Sequence, residues 1–386
     1  MAGAEARPLH VLIAGVTTRA LAVSAAQAGY RVTAVDAFAD LDLCRVAETI
    51  PMRAAHGRQY TPMAAAAAAE AIAADIVAYT SNFENYPTAV DRLSRHARLL
   101  GNGAAVLRRV RDPIPLMRML RLRGFATPRT RATPPATAPG QTAWLLKPRR
   151  SGGGHGTAAW RSHGKVPRSH YLQEQIAGPV GSVVFAADGR SAVTLGISRQ
   201  LVADARFGAR GFRYCGSLFG PALFPRQAQL LERAALLASA VTEEFGLMGL
   251  NGVDFIARNG VPFPIEVNPR YSASMELIER ANGTSMFEVH VRACHGILPR
   301  PHACGAGTEG KAVVFARRDV TMGDTRHWLQ RGWLGDVPTA GEKIRRGRPI
   351  CTVFAHAADP AACHRLLIRR AASIYRSVES RRPRAA

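Results

Sequence analysis

Lysine is nearly missing from this chain. Four of the 51 basic residues are lysines (Lys147, Lys165, Lys311 and Lys343), so the formal net charge of +23 is carried almost wholly by arginine. Arginine-rich, alanine-rich usage can follow genomic base composition. The functional reading is a field that attracts polyanions such as nucleotides, acidic metabolites or nucleic acid. Aromatic residues are also scarce, at 7%. The arginines are spread along the chain rather than gathered in a stripe with interleaved aromatics, so an acidic small molecule is favoured over nucleic acid. Cysteine is sparse too: Cys44, Cys215, Cys294, Cys304, Cys351 and Cys363 form no Cys-x-x-Cys pair. That spacing argues against a zinc site or a disulfide framework. No run of about 18 uncharged apolar residues occurs, so no membrane span is expected. Met1 to Pro8 lacks a signal-peptide core, which makes the cytoplasm the expected compartment.

What is present suits a globular protein of two or three domains, with 386 residues and 47% hydrophobic content. Leu9 to Ala14 is apolar, Gly15 turns the chain, Ala20 to Ala28 has a helical pattern, and Arg31 to Val35 is a second strand closing on Asp36. This is a βαβ start to a doubly wound sheet. It lacks Gly-x-Gly-x-x-Gly, so dinucleotide binding is unsupported, and Asp36 reads equally as a turn residue. A helix at Ala64 to Ala74 and a strand at Asp75 to Tyr79 follow. The polar loop Thr80 to Asn85, with Asn82 and Glu84, then falls at a strand end where open α/β sheets place ligands. A helix at Pro87 to His96 and a strand at Leu99 bring the first domain to its expected end near residue 105. The helical pattern of Ala104 to Arg123 is broken at Asp112-Pro113-Ile114-Pro115.

Two stretches carry chemistry. In the first, strand Ala143 to Leu146 runs into Lys147 and then Ser151-Gly152-Gly153-Gly154-His155-Gly156. Glycines let backbone N–H groups approach an anion while the ammonium supplies a point charge, which suits phosphate. It is not a Walker loop, and a flexible hairpin tip is the plain alternative. The second runs from Gly249 to Arg270 and reads as a hairpin turning at Asn259-Gly260. Side chains alternate along strands, so Asp254, Glu266 and Asn268 share a face, with Arg270 just beyond. Three oxygen donors suit Mg²⁺; an ordinary solvated face is the plain alternative. Around these lie a strand at Tyr171 to Ile176, a hairpin at Ser182 to Ser198, and a Gly/Arg/aromatic loop at Arg206 to Gly220. Helices are expected at Ala228 to Glu244, Met275 to Ala281, Met286 to Cys294 and Asp359 to Ser377. A strand is expected at Lys311 to Phe315 and a hairpin-like stretch at Gly341 to Phe354.

In this order, the βαβ unit, Lys147 with its glycine loop, Gln173-Glu174-Gln175-Ile176-x-Gly178 and Asp254…Glu266-Val-Asn268-Pro-Arg270 resemble the ATP-grasp superfamily of carboxylate–amine ligases. The resemblance covers nearly the whole chain. The opening Val-Leu-Ile-Ala-Gly-Val-Thr-Thr-Arg is similar to a subgroup of methylotrophs and methanogens associated with tetrahydromethanopterin or methanofuran metabolism. The implied fold combines α/β and α+β parts. A Rossmann-like pre-ATP-grasp domain (residues 1–105) precedes a two-lobed ATP-grasp domain (106–300, lid lobe 106–175 and Mg-ATP lobe 176–300) and a small β-rich C-terminal domain (301–386).

The resemblance also implies roles. Lys147 contacts the phosphates, and Ser151, Gly152, Gly153 and Gly154 close over them. Glu174, Gln175 and Ile176 read the adenine edge. Asp254, Glu266 and Asn268 hold Mg²⁺ or Mn²⁺, and Arg270 stabilises the transferring phosphoryl group. Arg210, Arg213, Tyr214, Asn82 and Glu84 are the expected acceptor residues. Two departures from the family pattern stand out. Arg111-Asp112-Pro113 occupies the place of a phosphate-binding lysine, leaving that contact missing or made by Arg111 or Arg118, and Val180 replaces the ribose-binding glutamate. The implied activity is ADP-forming ligation of an acidic carboxylate to an amine, with ATP as cofactor and a homodimer allowed. The alternatives are a bicarbonate- or purine-type carboxylase or kinase, and a nucleotide- or nucleic-acid-binding protein without turnover.

Overall fold

The computed structural model describes residues 8–53, 57, 59–135, 143–161, 164–300 and 305–379. Cys304 and most of the Thr130 to Thr142 segment lie outside them. The first domain is a parallel sheet in the order β3-β2-β1-β4-β5, built from β1 (His10–Gly15), β2 (Arg31–Asp36), β3 (Glu48–Pro51), β4 (Ile76–Tyr79) and β5 (Arg98–Leu99). Gly15 ends β1 because a Cβ there would stand 1.8 Å from the Thr80 hydroxyl. Asp36 is a turn residue: its carboxylate accepts from the backbone N–H groups of Thr18, Phe38 and Ala39 and from the Thr18 hydroxyl.

The broken helical pattern resolves into Ala104–Val110 and Pro113–Leu122, with Asp112 capping the second. A four-stranded sheet follows in the order β6-β9-β7-β8, from β6 (Thr130–Arg131), β7 (Trp144–Pro148), β8 (Ala158–Ala159) and β9 (His170–Glu174). The rest is dominated by one sheet of eight strands. It takes β10 (Val180–Asp188), β11 (Ala192–Val202), β12 (Tyr214–Phe219), β13 (Met248–Arg258), β14 (Val261–Asn268), β15 (Thr308–Phe315), β17 (Leu334–Gly335) and β19 (Pro349–Ala357) in the order β14-β13-β10-β11-β12-β15-β19-β17.

Two expectations are corrected. Residues 214–219, read as part of a loop, are a central strand pairing with β11 and β15. Gly216, Ser217 and Gly220 dilute the apolar alternation that signals a strand. The stretch Gly341 to Phe354 is not a hairpin. Within it β18 (Lys343–Ile344) pairs with β16 (Val320–Thr321), while β19 pairs with β15.

Alternation gives the large sheet two faces. Val183, Phe185, Val253, Phe255 and Val267 point into a core closed by the helices Gln227–Phe245 and Pro360–Glu379. Val184, Ala186, Leu250 and Phe219 point the other way, against the helices Met275–Asn282 and Met286–Cys294 and the first domain. Asp254, Glu266 and Asn268 lie on this second face. Arg19 from the first domain joins three parts of the chain there. Its guanidinium pairs with Glu276, which also accepts from Lys311 at 2.8 Å, and with Asp336 at 2.9 Å. Removing one partner of a buried ion cluster strands the others, so Arg19→Leu should lower the unfolding free energy by about 3–5 kcal/mol in chemical denaturation.

Candidate functional site

The hairpin β13–β14 turns at Asn259 (φ 53°) and Gly260 (φ 73°), left-handed conformations that Asn and Gly adopt most readily. The turn sets the register, and the register brings the candidate ligands together: Asp254 stands directly opposite Glu266, and Gly252 opposite Asn268. Asp254 accepts from Gln200 Nε2 at 2.9 Å and from Asn268 Nδ2 at 3.1 Å. Two carboxylates this close in a buried place resist ionising together. Burial first, then the charge of Glu266, lifts the Asp254 carboxyl to about 6. Glu266 goes the other way: Arg111 and then Lys147 outweigh its burial and lower it.

The cations converge from three elements. Arg111, at the end of helix Ala104–Val110, donates to Glu266 and to the Val267 carbonyl at 2.8 Å, and reaches Asn85 Oδ1 at 2.7 Å. Of the two arginines that could replace the missing lysine, Arg111 is therefore in the site, while Arg118 is exposed on the following helix. Arg270 donates to Glu84 Oε1 at 2.7 Å, a pair with side-chain exposures of 11% and 1%. The Lys147 ammonium at the end of β7 donates to Gln173 Oε1 at 2.9 Å.

The loop after β4 thus reaches over the sheet face, bringing Glu84 and Asn85 with it. Asn102 fixes the same join. Its amide donates to the Pro269 carbonyl at 3.0 Å and to Asn251 at 2.8 Å, while its oxygen accepts from the Met248 N–H at 2.9 Å. Asn82 Oδ1 and Glu84 Oε2 are buried with no hydrogen-bond partner among the described residues.

The glycine loop lies across this cluster. The Ser151 carbonyl accepts from Arg111 at 3.2 Å and from Asn85 at 3.4 Å. The Gly153 carbonyl accepts from the Tyr214 N–H at 3.0 Å. Gly154 has φ 75°, and a Cβ there would stand 1.8 Å from the Phe212 carbonyl oxygen. Only a glycine lets the loop rest so closely on the chain before β12.

On the opposite side, β9 ends at Glu174, whose carboxylate accepts from the Arg129 N–H at 3.0 Å. The Gln175 N–H is taken by the Ala143 carbonyl, whereas the Ile176 N–H has no acceptor among the described residues. Tyr214 and Arg213 border the cleft. The Tyr214 hydroxyl meets Ser217 Oγ at 2.9 Å, and Arg213 donates to the Gly347 carbonyl. Arg210 is exposed. The sequence pattern did not single out Gln173 or Gln200. Gln173 belongs to the Gln-Glu-Gln-Ile stretch and was within reach of that reading; Gln200 sits mid-strand with no local signal.

The donor set fits a hard divalent cation. Asp254 and Glu266 supply carboxylate oxygen and Asn268 an amide, and the raised Asp254 reflects its burial and then the charge of Glu266, both of which a cation between the two acids would offset. Arg111, Arg270 and Lys147 surround that position with positive charge, each now held by an acceptor that phosphate oxygens could replace.

Comparisons with known proteins concern the domain and the fold. A family model described as the ATP-grasp domain matches residues 110–274. The chain is 27% identical over 343 residues to a formate-dependent phosphoribosylglycinamide formyltransferase of Synechococcus, covering 83% of each. It is 26% identical over 115 residues to an uncharacterized protein of Methanocaldococcus jannaschii, a match that spans 30% of this chain and 28% of that one. The ADP complex of an N5-carboxyaminoimidazole ribonucleotide synthetase superposes with a TM-score of 0.71 at 17% identity, covering 98% of this chain and 100% of that one. Its likeness is one of fold. The segment from Arg111 through Lys147 and its glycine loop to the Asp254–Glu266 hairpin is thus what is similar to the ATP-grasp domain.

Proposed function

We infer that the protein is an ATP- and magnesium-dependent ligase that activates a carboxylate as an acyl-phosphate for attack by an amine, releasing ADP. The observation that carries this is the pairing of Asp254 with Glu266 under Arg111, Arg270 and Lys147. It is a charge arrangement with little use except to hold a metal–polyphosphate.

Asp254, Glu266 and the Asn268 amide oxygen would hold Mg²⁺. The ion supplies neutralisation of phosphate charge. Lys147 binds phosphate, and Arg111 does so in place of the missing lysine. The Ile176 N–H is free to read the adenine edge. Arg270, placed at the end of β14, faces the side on which the phosphoryl group and the tetrahedral oxyanion develop charge, where fixed positive groups act most strongly. The glycine loop excludes water that would hydrolyse the acyl-phosphate. The name of the Synechococcus relative pairs formate, a carboxylate, with a phosphoribosylglycinamide, which supports a carboxylate–amine reaction class.

For the finer assignment, the resemblance of the opening segment Val11 to Arg19 supports a coenzyme-biosynthesis substrate, with glutamate as a candidate partner. Arg210, Arg213, Tyr214, Asn82 and Glu84 are the proposed acceptor residues.

Two outcomes test the reading. Glu266→Gln should lower acid-dependent ADP release by about 10²–10³-fold, the scale of losing one preorganised electrostatic partner, while circular dichroism stays native. The second concerns pH. Asp254 is neutral below about 6 in the folded protein, and a metal must displace that proton. Calorimetric Mg-ADP affinity should therefore fall as pH drops through 6, and Asp254→Asn should abolish that dependence. Because the folded value is raised, the metal-free protein should gain stability as pH falls through the same range.

A further inference from the structure

Arg111 is held from two sides. One amino group of its guanidinium donates to Glu266 and to the Val267 carbonyl at 2.8 Å. The other donates to Asn85 Oδ1 at 2.7 Å and to the Ser151 carbonyl at 3.2 Å. Its Nε–H is buried and has no acceptor among the described residues. A buried donor without an acceptor is costly, and it suits an arginine built to receive an anion. When Glu266 turns to a metal, Arg111 loses the carboxylate it grips. What then keeps its guanidinium in place is the second side, and the anchor on that side is Asn85.

Asn85 is itself firmly placed. It is 5% exposed and ends the short turn Phe83–Asn85, in which Phe83 is fully buried against the first sheet. Its N–H donates to the Asn82 carbonyl at 3.1 Å, and the helix Pro87–Leu93 starts two residues on. A guanidinium only donates and a carbonyl only accepts, so the Asn85 amide has one orientation: Oδ1 toward Arg111, and Nδ2 toward the Ser151 carbonyl at 3.4 Å. The second contact is long, but the same carbonyl also takes Arg111. Asn85, Arg111 and Ser151 thus close a ring of three hydrogen bonds that joins the first domain, the start of helix Pro113–Leu122 and the glycine loop. The next residue, Tyr86, lies under the Arg150 guanidinium at 5.7 Å, on the approach to the same loop.

A long side chain released from its partner regains rotamer freedom, and ordering it again costs part of any new contact. We propose that Asn85 is a positioning residue for the ligase. It keeps Arg111 in place when Glu266 turns to the metal, so that the freed N–H groups stay aimed at phosphate, and it links that arginine to the docked glycine loop. This rests on the ligase reading of the Asp254–Glu266 face. Asn85 touches no reacting atom and acts through Arg111. An amide suits the role because it accepts and donates from two separate atoms without adding a charge. Nucleotide binding and loop docking are coupled through the ring, since the amino group that meets Asn85 also meets Ser151.

The test reads binding and the loop separately. In calorimetry with Mg²⁺ and the non-hydrolysable β,γ-imido analogue of ATP, Asn85→Ala should bind about 10-fold more weakly than wild type, the scale of one hydrogen bond to a charged group. Arg111→Gln should bind more weakly still. The double variant should be no weaker than Arg111→Gln alone, because Asn85 acts through Arg111. Hydrogen–deuterium exchange reads the loop. At saturating analogue, residues 151–157 and the Tyr214 N–H, which donates to the Gly153 carbonyl, should exchange faster in Asn85→Ala and in Asn85→Asp than in wild type. The aspartate has the same shape and still accepts from Arg111 but cannot donate to Ser151, so it tests the link to the loop even if the alanine variant folds poorly. Losses that add in the double variant mark a merely structural role and overturn the proposal. Unchanged affinity in Asn85→Ala, or unchanged loop exchange in Asn85→Asp, overturns it as well. Failure of the analogue to bind to wild type would overturn the ligase reading instead.

Discussion

Two acids face each other across a pair of antiparallel strands, and the rest of the cleft is arranged to make that tolerable. Asp254 and Glu266 are fixed opposite one another by a two-residue turn. Left alone in a buried place, they would share a proton rather than both ionise. The protein meets this unequally. Arg111 and Lys147 stabilise the charge of Glu266, while Asp254, with the Gln200 and Asn268 amides donating to it, stays raised by burial and by Glu266. The free protein is thereby left with one carboxylate ready and one waiting for a stronger cation than any side chain supplies.

The neutralising groups come from far apart in the chain. Arg111 follows the first domain, Glu84 rides on the loop after β4, Lys147 lies near the end of a strand of the four-stranded sheet, and Arg270 follows the hairpin. Each now holds a protein acceptor: Arg111 grips Glu266, Arg270 grips Glu84 and Lys147 grips Gln173. A metal–nucleotide would take over the carboxylates and offer phosphate oxygens to the cations. Exchanging one set of charge pairs for another changes little in net burial of charge, which lets a closed cleft accept a highly charged ligand. Asn102 supports this by tying the end of the first domain to Met248, Asn251 and Pro269, at the two ends of the hairpin.

What could be read from the sequence was what is local. The Asn259-Gly260 turn, the alternation that puts Asp254, Glu266 and Asn268 on one face, and the proline-broken helix at Asp112 are all signals within a few residues, and all three are present in the structure. The central strand Tyr214–Phe219 was missed because glycine and serine interrupt its pattern; its strand character comes from neighbours on both sides. The pairing of Lys343–Ile344 with Val320–Thr321, rather than with the adjacent β19, is likewise a tertiary choice. The Arg111–Glu266 pair spans 155 residues and the Arg19–Glu276 pair 257. No periodicity announces contacts at such range. Arg111 was within reach only because its position relative to the family pattern narrowed the choice to two arginines.

Activation of a carboxylate by the γ-phosphate of ATP is the step that makes this cleft a ligase, and isotope exchange within ATP examines it directly. ATP carrying ¹⁸O in its β–γ bridge would be incubated with the protein, Mg²⁺ and a panel of carboxylic acids, without any amine. Reversible acyl-phosphate formation lets the bound β-phosphate rotate, so label should appear at β-nonbridging positions only when the right acid is present, and not in Glu266→Gln. Scrambling that needs bicarbonate alone, or its absence with every acid despite normal nucleotide binding, would contradict the assignment.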